Sequence, residues 1–144
     1  MVVCTHKNVL VHLSFYQEGN ADDAVVTVAF SKDGYHLATA HESAAVRFWD
    51  LRKQKTMAVM NTDKDLLESV TALSYDPSGQ YVAFGGKGGV KINTVKKWGT
   101  AASLESNVVS GIVWNDPSIA ATCSNKQRAV YFHGVSQSNE ALNE

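Results

Sequence analysis

Five histidines, His6, His12, His36, His41 and His133, are the residues of this 144-residue chain best suited to acid–base chemistry. Such chemistry needs a carboxylate or nucleophile within hydrogen-bond reach. None of the five lies in a GxSxG, HExxH or phosphate-loop context. His12 and His36 fall inside apolar runs and read as histidines on a strand face. The run Gly85-Gly86-Lys87-Gly88-Gly89 has the glycine content of a phosphate cradle. A cradle needs a helix N-terminus behind it, whereas the strand-like VKINT follows, so the glycines read as a flexible turn between strands. Cys4 and Cys123 form no CxxC or Cys/His spacing. Neither a zinc site nor a disulfide framework is expected, and the predicted compartment is reducing. The residues therefore predict no catalytic group, no metal and no cofactor.

The elements that must carry these residues are short and repeated. AAVRFWD (44–50), GGVKINT (88–94) and RAVYFHG (128–134) align on Val46, Val90 and Val130, 44 and 40 residues apart. Upstream of each lies a second match: VTVAFSKDG (26–34), VTALSYDPSG (70–79) and VSGIVWNDP (109–117). Within each unit, apolar runs alternate with turns, and Asp33-Gly34 supplies the positive φ that tight hairpins require. No 3.6-residue period competes, and most strands are apolar or small on both faces, which suits sheets stacked between sheets. The fold class expected is all-β. A period near 40–45 residues marks β-propeller blades of the WD-repeat kind, with strands a to d running outward from the channel.

Strands are predicted at 9–16 (d), 25–30, 35–40, 45–51, then 56–60 (d), 69–75, 80–85, 89–95, then about 98–104 (d), 108–114, 119–124 and 129–134. The organisation is an N-terminal extension over 1–8, three repeats over 9–134 (9–51, 56–95 and 98–134) and a polar tail over 135–144. Three antiparallel four-stranded units are about half of a seven-bladed ring. Their open faces would need the remaining blades, or another copy, to cover them.

Composition agrees with a folded domain, with 44% hydrophobic and 19% charged residues. The net charge of −1 provides no global field for nucleic acid or anionic membrane. No apolar run reaches the roughly 18 residues of a membrane span, and MVVCTHK lacks the features of a secretory signal.

Trp49-Asp50 stands at the end of a c strand, where WD repeats carry their name-giving dipeptide. The resemblance implies a structural relay in which the Trp is joined to a Ser or Thr, a His, and an Asp in the b–c turn. Thr39 and Trp49 match it, and Asp50 is the structural Asp of the dipeptide. Ser43 stands where the Asp is expected, and no Gly-His pair precedes strand a. At a finer level AFSKDGYHLATA (29–40), FWDLRK (48–53), YDPSGQYVAFGG (75–86) and KKW (96–98) resemble the last three repeats of the pre-mRNA-processing factor nineteen family, over residues 9–134. That family consists of spliceosome-associated ubiquitin ligases. The resemblance implies a nuclear, non-catalytic, partner- or substrate-binding portion of such a ligase. Its U-box and coiled coil have no counterpart in this sequence. A WD-repeat adaptor of an unrelated pathway is the alternative.

Loop charge gives the binding function a direction. The predicted d–a loops hold Glu18, Asp22, Asp23, Asp63, Asp65, Glu68 and Glu105 against Lys64, with His41 and Glu42 at the same rim. The c–d connections hold Arg52, Lys53, Lys55, Lys96 and Lys97. The acidic face is expected to receive basic protein partners, and the basic face an acidic protein or a weak RNA phosphate contact. Phe30, Tyr75 and Trp114, each ending an a strand, are expected to plug the seams between blades. Trp98 is expected to be an exposed contact.

Overall fold

The computed structural model describes residues 2–6, 9–13, 23–62, 69–116, 119–124 and 129–134, with side chains described over 23–62, 69–105 and 108–114. All the regular structure among the described residues is strand. β1 (Val2–His6) and β2 (Val9–Leu13) form an antiparallel pair of their own, so part of the predicted extension is a strand. β3 (Val25–Phe30), β4 (His36–His41), β5 (Ala45–Asp50) and β6 (Lys55–Asn61) make one antiparallel sheet in sequence order. β7 (Ser69–Tyr75), β8 (Tyr81–Thr94), β9 (Thr100–Asp116), β10 (Ile119–Ser124) and β11 (Ala129–Gly134) form the other hydrogen-bonded succession.

β8 and β9 each do the work of two predicted strands. A straight strand of 14 residues would span about 46 Å, yet the Val95 N–H donates to the Gln80 carbonyl at 2.8 Å. β8 is therefore folded back on itself. Its first half pairs with β7 and its second with β9, and the glycine run is the bend. β9 pairs with β8 up to Val108 and with β10 from Val109 onward. There it leaves β8 and lies against β7. Thr71 Oγ1 donates to the Val109 carbonyl (2.7 Å) and Trp114 Nε1 to the Ser74 carbonyl (3.3 Å). β3, β7 and the second half of β9, the three inner strands, are thus successive neighbours. We call the β3–β6 sheet blade one, the β7, β8 and early β9 sheet blade two, and the late β9, β10 and β11 sheet blade three.

Two cores fill the seams. Ala38, Ala40, Val46 and Phe48 of blade one meet Val70, Tyr75, Val82 and Phe84 of blade two. On blade two's other face, Ala72, Ala83, Val90 and Ile92 meet Val109 and Ile112. Burial of each large side chain contributes roughly 1.5–3 kcal/mol, which is why both faces of these strands are apolar. Tyr75 is buried in the first seam and its hydroxyl pKa is pushed up by that burial and by the Asp33 charge. Trp114 packs beside the second.

Trp98 departs from expectation. It follows the c–d turn of blade two with a φ of 53° and tucks inward, its ring 4.3 Å from that of Phe48. Gln54 ends blade one's c–d turn with the same backbone sign (φ 52°) and is exposed. The left-handed position is therefore common to both turns, and only the residue type sends Trp98 into the seam.

Candidate functional site

Blade one holds a continuous polar chain on the face turned away from blade two. Strand b presents Thr39 and His41 on one side and strand c presents Arg47 and Trp49 beside them, by the alternation of a pleated strand. Trp49 Nε1–H donates to Thr39 Oγ1 (3.0 Å). The Asp23 carbonyl beside Nδ1 can only accept, so in the neutral imidazole the proton lies on Nδ1 and the Thr39 hydroxyl donates to His41 Nε2 (3.0 Å). Nδ1–H faces the Asp23 carbonyl (3.1 Å), with the Asp23 carboxylate 3.5 Å away. The Asp23 carboxylate also accepts from Ser43 N–H (3.0 Å), Ser43 Oγ (2.9 Å) and Arg47 Nη2 (3.4 Å). Burial alone would raise its pKa; the two Ser43 bonds, His41 and Arg47 together hold it below the usual 3.8.

The relay is thus complete, with its members exchanged between loops. The carboxylate comes from Asp23, two residues before strand a, and reaches Ser43 in the b–c turn, where the Asp was expected. The histidine comes from the end of strand b. Sequence spacing missed this because each partner was sought in the other's position. A carboxylate two residues before strand a, with a Thr-x-His on strand b, was the available signal.

Among the described residues, blade two has an apolar side chain and a glycine where blade one has Thr39 and His41. Leu51 N–H donates to the Tyr35 carbonyl in blade one as Val95 N–H does to Gln80 in blade two, each at 2.8 Å. Counting from these bonds sets Thr39, His41, Arg47 and Trp49 against Phe84, Gly86, Lys91 and Asn93. Phe84 is buried. A Cβ at Gly86 would lie 1.8 Å from the Ser69 carbonyl oxygen, and one at Gly89 2.0 Å from that of Leu104. The glycine run is therefore needed for close backbone approach within the sheet.

The a–b turns show a second exchange. In blade one Ser31 and Asp33 hydrogen-bond each other, Ser31 Oγ accepts His36 N–H (3.1 Å) and Asp33 accepts Tyr35 N–H (2.8 Å). In blade two Asp76 and Ser78 bond each other, Asp76 accepts Tyr81 N–H (2.7 Å) and Ser78 Oγ accepts Gln80 N–H (3.3 Å). These bonds match, with Ser and Asp interchanged, and Asp76 additionally accepts Ser78 N–H (3.0 Å).

The predicted basic residues are largely surface groups. Asp50 is buried and anchors their loop, accepting Arg52 N–H (2.9 Å) and Lys53 N–H (3.1 Å). The Lys53 and Arg52 amides and charges hold its pKa low despite burial. Arg52 lies 3.7 Å from the Asp50 carboxylate and 4.5 Å above the Tyr35 ring. Lys53, Lys55, Lys96 and Lys97 are exposed.

The acidic set is rearranged. His41 and Asp23 belong to the relay, with side chains 4% and 11% exposed, because their hydrogen bonds close the end of blade one. Glu105 is not in a loop: it lies within β9, opposite Gly89, because the ladder continues through it. Glu42 and Glu105 are exposed. Glu18, Asp22, Asp63, Asp65 and Glu68 lie outside the described residues. Among the described residues no three His, Cys, Asp or Glu side chains gather as metal ligands, and no helix is long and apolar enough to cross a membrane.

A family model, the WD domain, G-beta repeat, matches residues 11–50, which span β2 through β5 and the whole relay. No curated protein matches the chain. With its antiparallel four-stranded sheets, the chain is a partial WD-repeat β-propeller, a fold of protein-interaction scaffolds.

Proposed function

We propose that this scaffold is the partner- or substrate-binding portion of a pre-mRNA-splicing ubiquitin ligase, working in the nucleus and without catalysis of its own. The observation that carries the binding function is the basic surface of the c–d turns, held on rigid strands. Asp50 fixes the loop bearing Arg52 and Lys53, and Lys96 and Lys97 are exposed on the matching turn of blade two. Fixed, like-charged loops favour an acidic partner through encounter rate and register more than through raw affinity. The ligase assignment is supported by the motif resemblance in strands b and c of blades one and two. An adaptor of an unrelated pathway would share the scaffold and differ in what it captures.

Affinity capture from nuclear extract, with the chain and its Lys96→Glu/Lys97→Glu variant as baits, tests this. Retrieval of splicing proteins by the parent, weakened by salt and several-fold reduced in the variant, is expected. Retrieval of unrelated proteins alone favours the adaptor. Loss of all captured protein after ribonuclease treatment would move the basic surface's role to RNA phosphate.

A further inference from the structure

The seam between blades one and two contains a cleft of about 340 Å³, bounded by Met60, Thr62, Phe84, Lys91, Asn93 and Trp98. Its place follows from a single position. In blade one the space over strand b beside Arg47 is filled by the Trp49 indole, hydrogen-bonded to Thr39. Blade two has Asn93 there, smaller by a bicyclic ring. Phe84 in place of Thr39, and Trp98 swung onto Phe48, refill part of that volume. The cleft is what they leave.

Asn93 is also half satisfied. Its Nδ2 donates to the Trp98 carbonyl at 3.4 Å, whereas its Oδ1 is buried with no hydrogen-bond partner among the described residues. Buried polar oxygens are rarely left without a donor, and each such case asks for an explanation.

We propose that this cleft is the docking pocket for a tryptophan side chain carried on an acidic extended segment of a partner protein. The proposal rests on the scaffold function above and gives it a second contact. The volume lies at the low end of the roughly 300–1,000 Å³ of ligand sites, the size for one large side chain. Met60 and Trp98 line it with a thioether and an indole, beside the buried Phe84 ring. An indole N–H supplies the donor that Asn93 Oδ1 lacks. Lys91 on the wall and Lys96 and Lys97 on the adjoining turn favour carboxylates flanking the tryptophan. The partner's ring restores to blade two what blade one supplies from its own strand c.

The test is a titration of the ¹⁵N-labelled 144-residue chain with the peptide acetyl-Glu-Glu-Trp-Glu-Glu-amide, followed by NMR. Saturable shifts centred on the Asn93 side-chain amide and the Trp98 indole are expected. Asn93→Trp and Met60→Trp fill the cleft from opposite walls and should each weaken binding at least tenfold. If Asn93→Trp does not fold, Met60→Trp decides. Unchanged affinity in the folded filled variants, shifts only elsewhere, or no saturation overturns the proposal. Equal affinity for the phenylalanine peptide removes the indole assignment. Concentration-dependent shifts at the same residues without peptide mean that a second copy occupies the cleft, which also overturns it. Splicing proteins captured without peptide binding sink the pocket alone. Peptide binding without such capture sinks the ligase assignment alone.

Discussion

Blades one and two share their backbone hydrogen bonds and close their b–c ends by opposite chemistry. Blade one uses Trp49, Thr39, His41 and Asp23, a directed chain in which every donor has an acceptor. Blade two uses Phe84 and Gly86, an apolar side chain and a backbone that touches its neighbour. The relay is thus one of two solutions to the same problem, how to fix strand b against strand c at the end of a blade. The polar solution is sensitive to protonation and to loss of any member. The glycine solution is sensitive to a single added methyl group.

The largest effect is therefore expected in blade two. Gly86→Ala places a methyl group inside the Ser69 carbonyl, and backbone cannot turn aside as a flexible side chain can. The β7–β8 ladder must open, at a cost of about 3 kcal/mol or more. Urea unfolding of the variant measures it; a loss under about 1 kcal/mol would show that the close approach does not hold blade two together.

In blade one the comparable lesion is Thr39→Val, which keeps the volume and removes the hinge of the relay. The Trp49 indole N–H and His41 Nε2 lose their shared partner together, a loss of about 2 kcal/mol. Trp49→Phe should then cost less on the Thr39→Val background than on the parent, since its bond to Thr39 is already gone. Additive losses in the double-mutant cycle would mean that the two residues act separately.

What the sequence revealed and what it hid divide along the same line. Strand positions were legible because alternation, Asp-Gly turns and the repeat are local signals; β3 spans the predicted 25–30, β7 the predicted 69–75 and β10 the predicted 119–124. The exchange of His and Asp was not, because the Asp23–Ser43 bonds join residues 20 apart and nothing local marks them. Gly86 was legible as part of a turn. That it touches Ser69 depends on the pairing of β7 with β8. Trp98 was misplaced because its exposure depends on Phe48, in another blade.

Acid should separate the blades by a smaller margin. Asp23, Asp33 and Asp50, all in blade one, have carboxyl pKa values held below 3.8 in the fold. A lowered folded value means stability that is fully present above the unfolded value and lost as pH falls through the folded one. Blade one should therefore weaken below about pH 3.8, through the closing bonds of its relay and turns. Among the described residues, no carboxylate closes the b–c end of blade two, where Phe84 and Gly86 stand. NMR peak intensities of Val46 and Val90 amides between about pH 6 and pH 2.5 report this. Earlier loss at Val90 would contradict the assignment of the acid-sensitive bonds to blade one.

The smallest effect is expected from making the blades alike at their a–b turns. The double variant Ser31→Asp/Asp33→Ser gives blade one the residue order of Asp76 and Ser78. Both turns present the N–H groups of matching residues, Tyr35 and His36 or Gln80 and Tyr81, to a bonded Ser–Asp pair, and Asp76 additionally accepts Ser78 N–H. What the exchange loses is local. Asp33 Oδ2 lies 3.4 Å from His36 Nδ1, and the Asp33 side chain is 46% exposed, so the pair contributes about 0–1 kcal/mol. Ser31, by contrast, is buried, and an Asp there needs the contacts that Asp76, itself buried, makes with Tyr81 N–H and with the N–H and hydroxyl of Ser78 in blade two. Asp33→Ser alone removes the carboxylate from the turn, and Ser31→Asp alone sets two carboxylates against each other. Each single change should therefore be worse than the pair, with a coupling of about 1 kcal/mol or more recovered in the cycle. Additive single losses would mean that position, not pairing, decides where the carboxylate must stand.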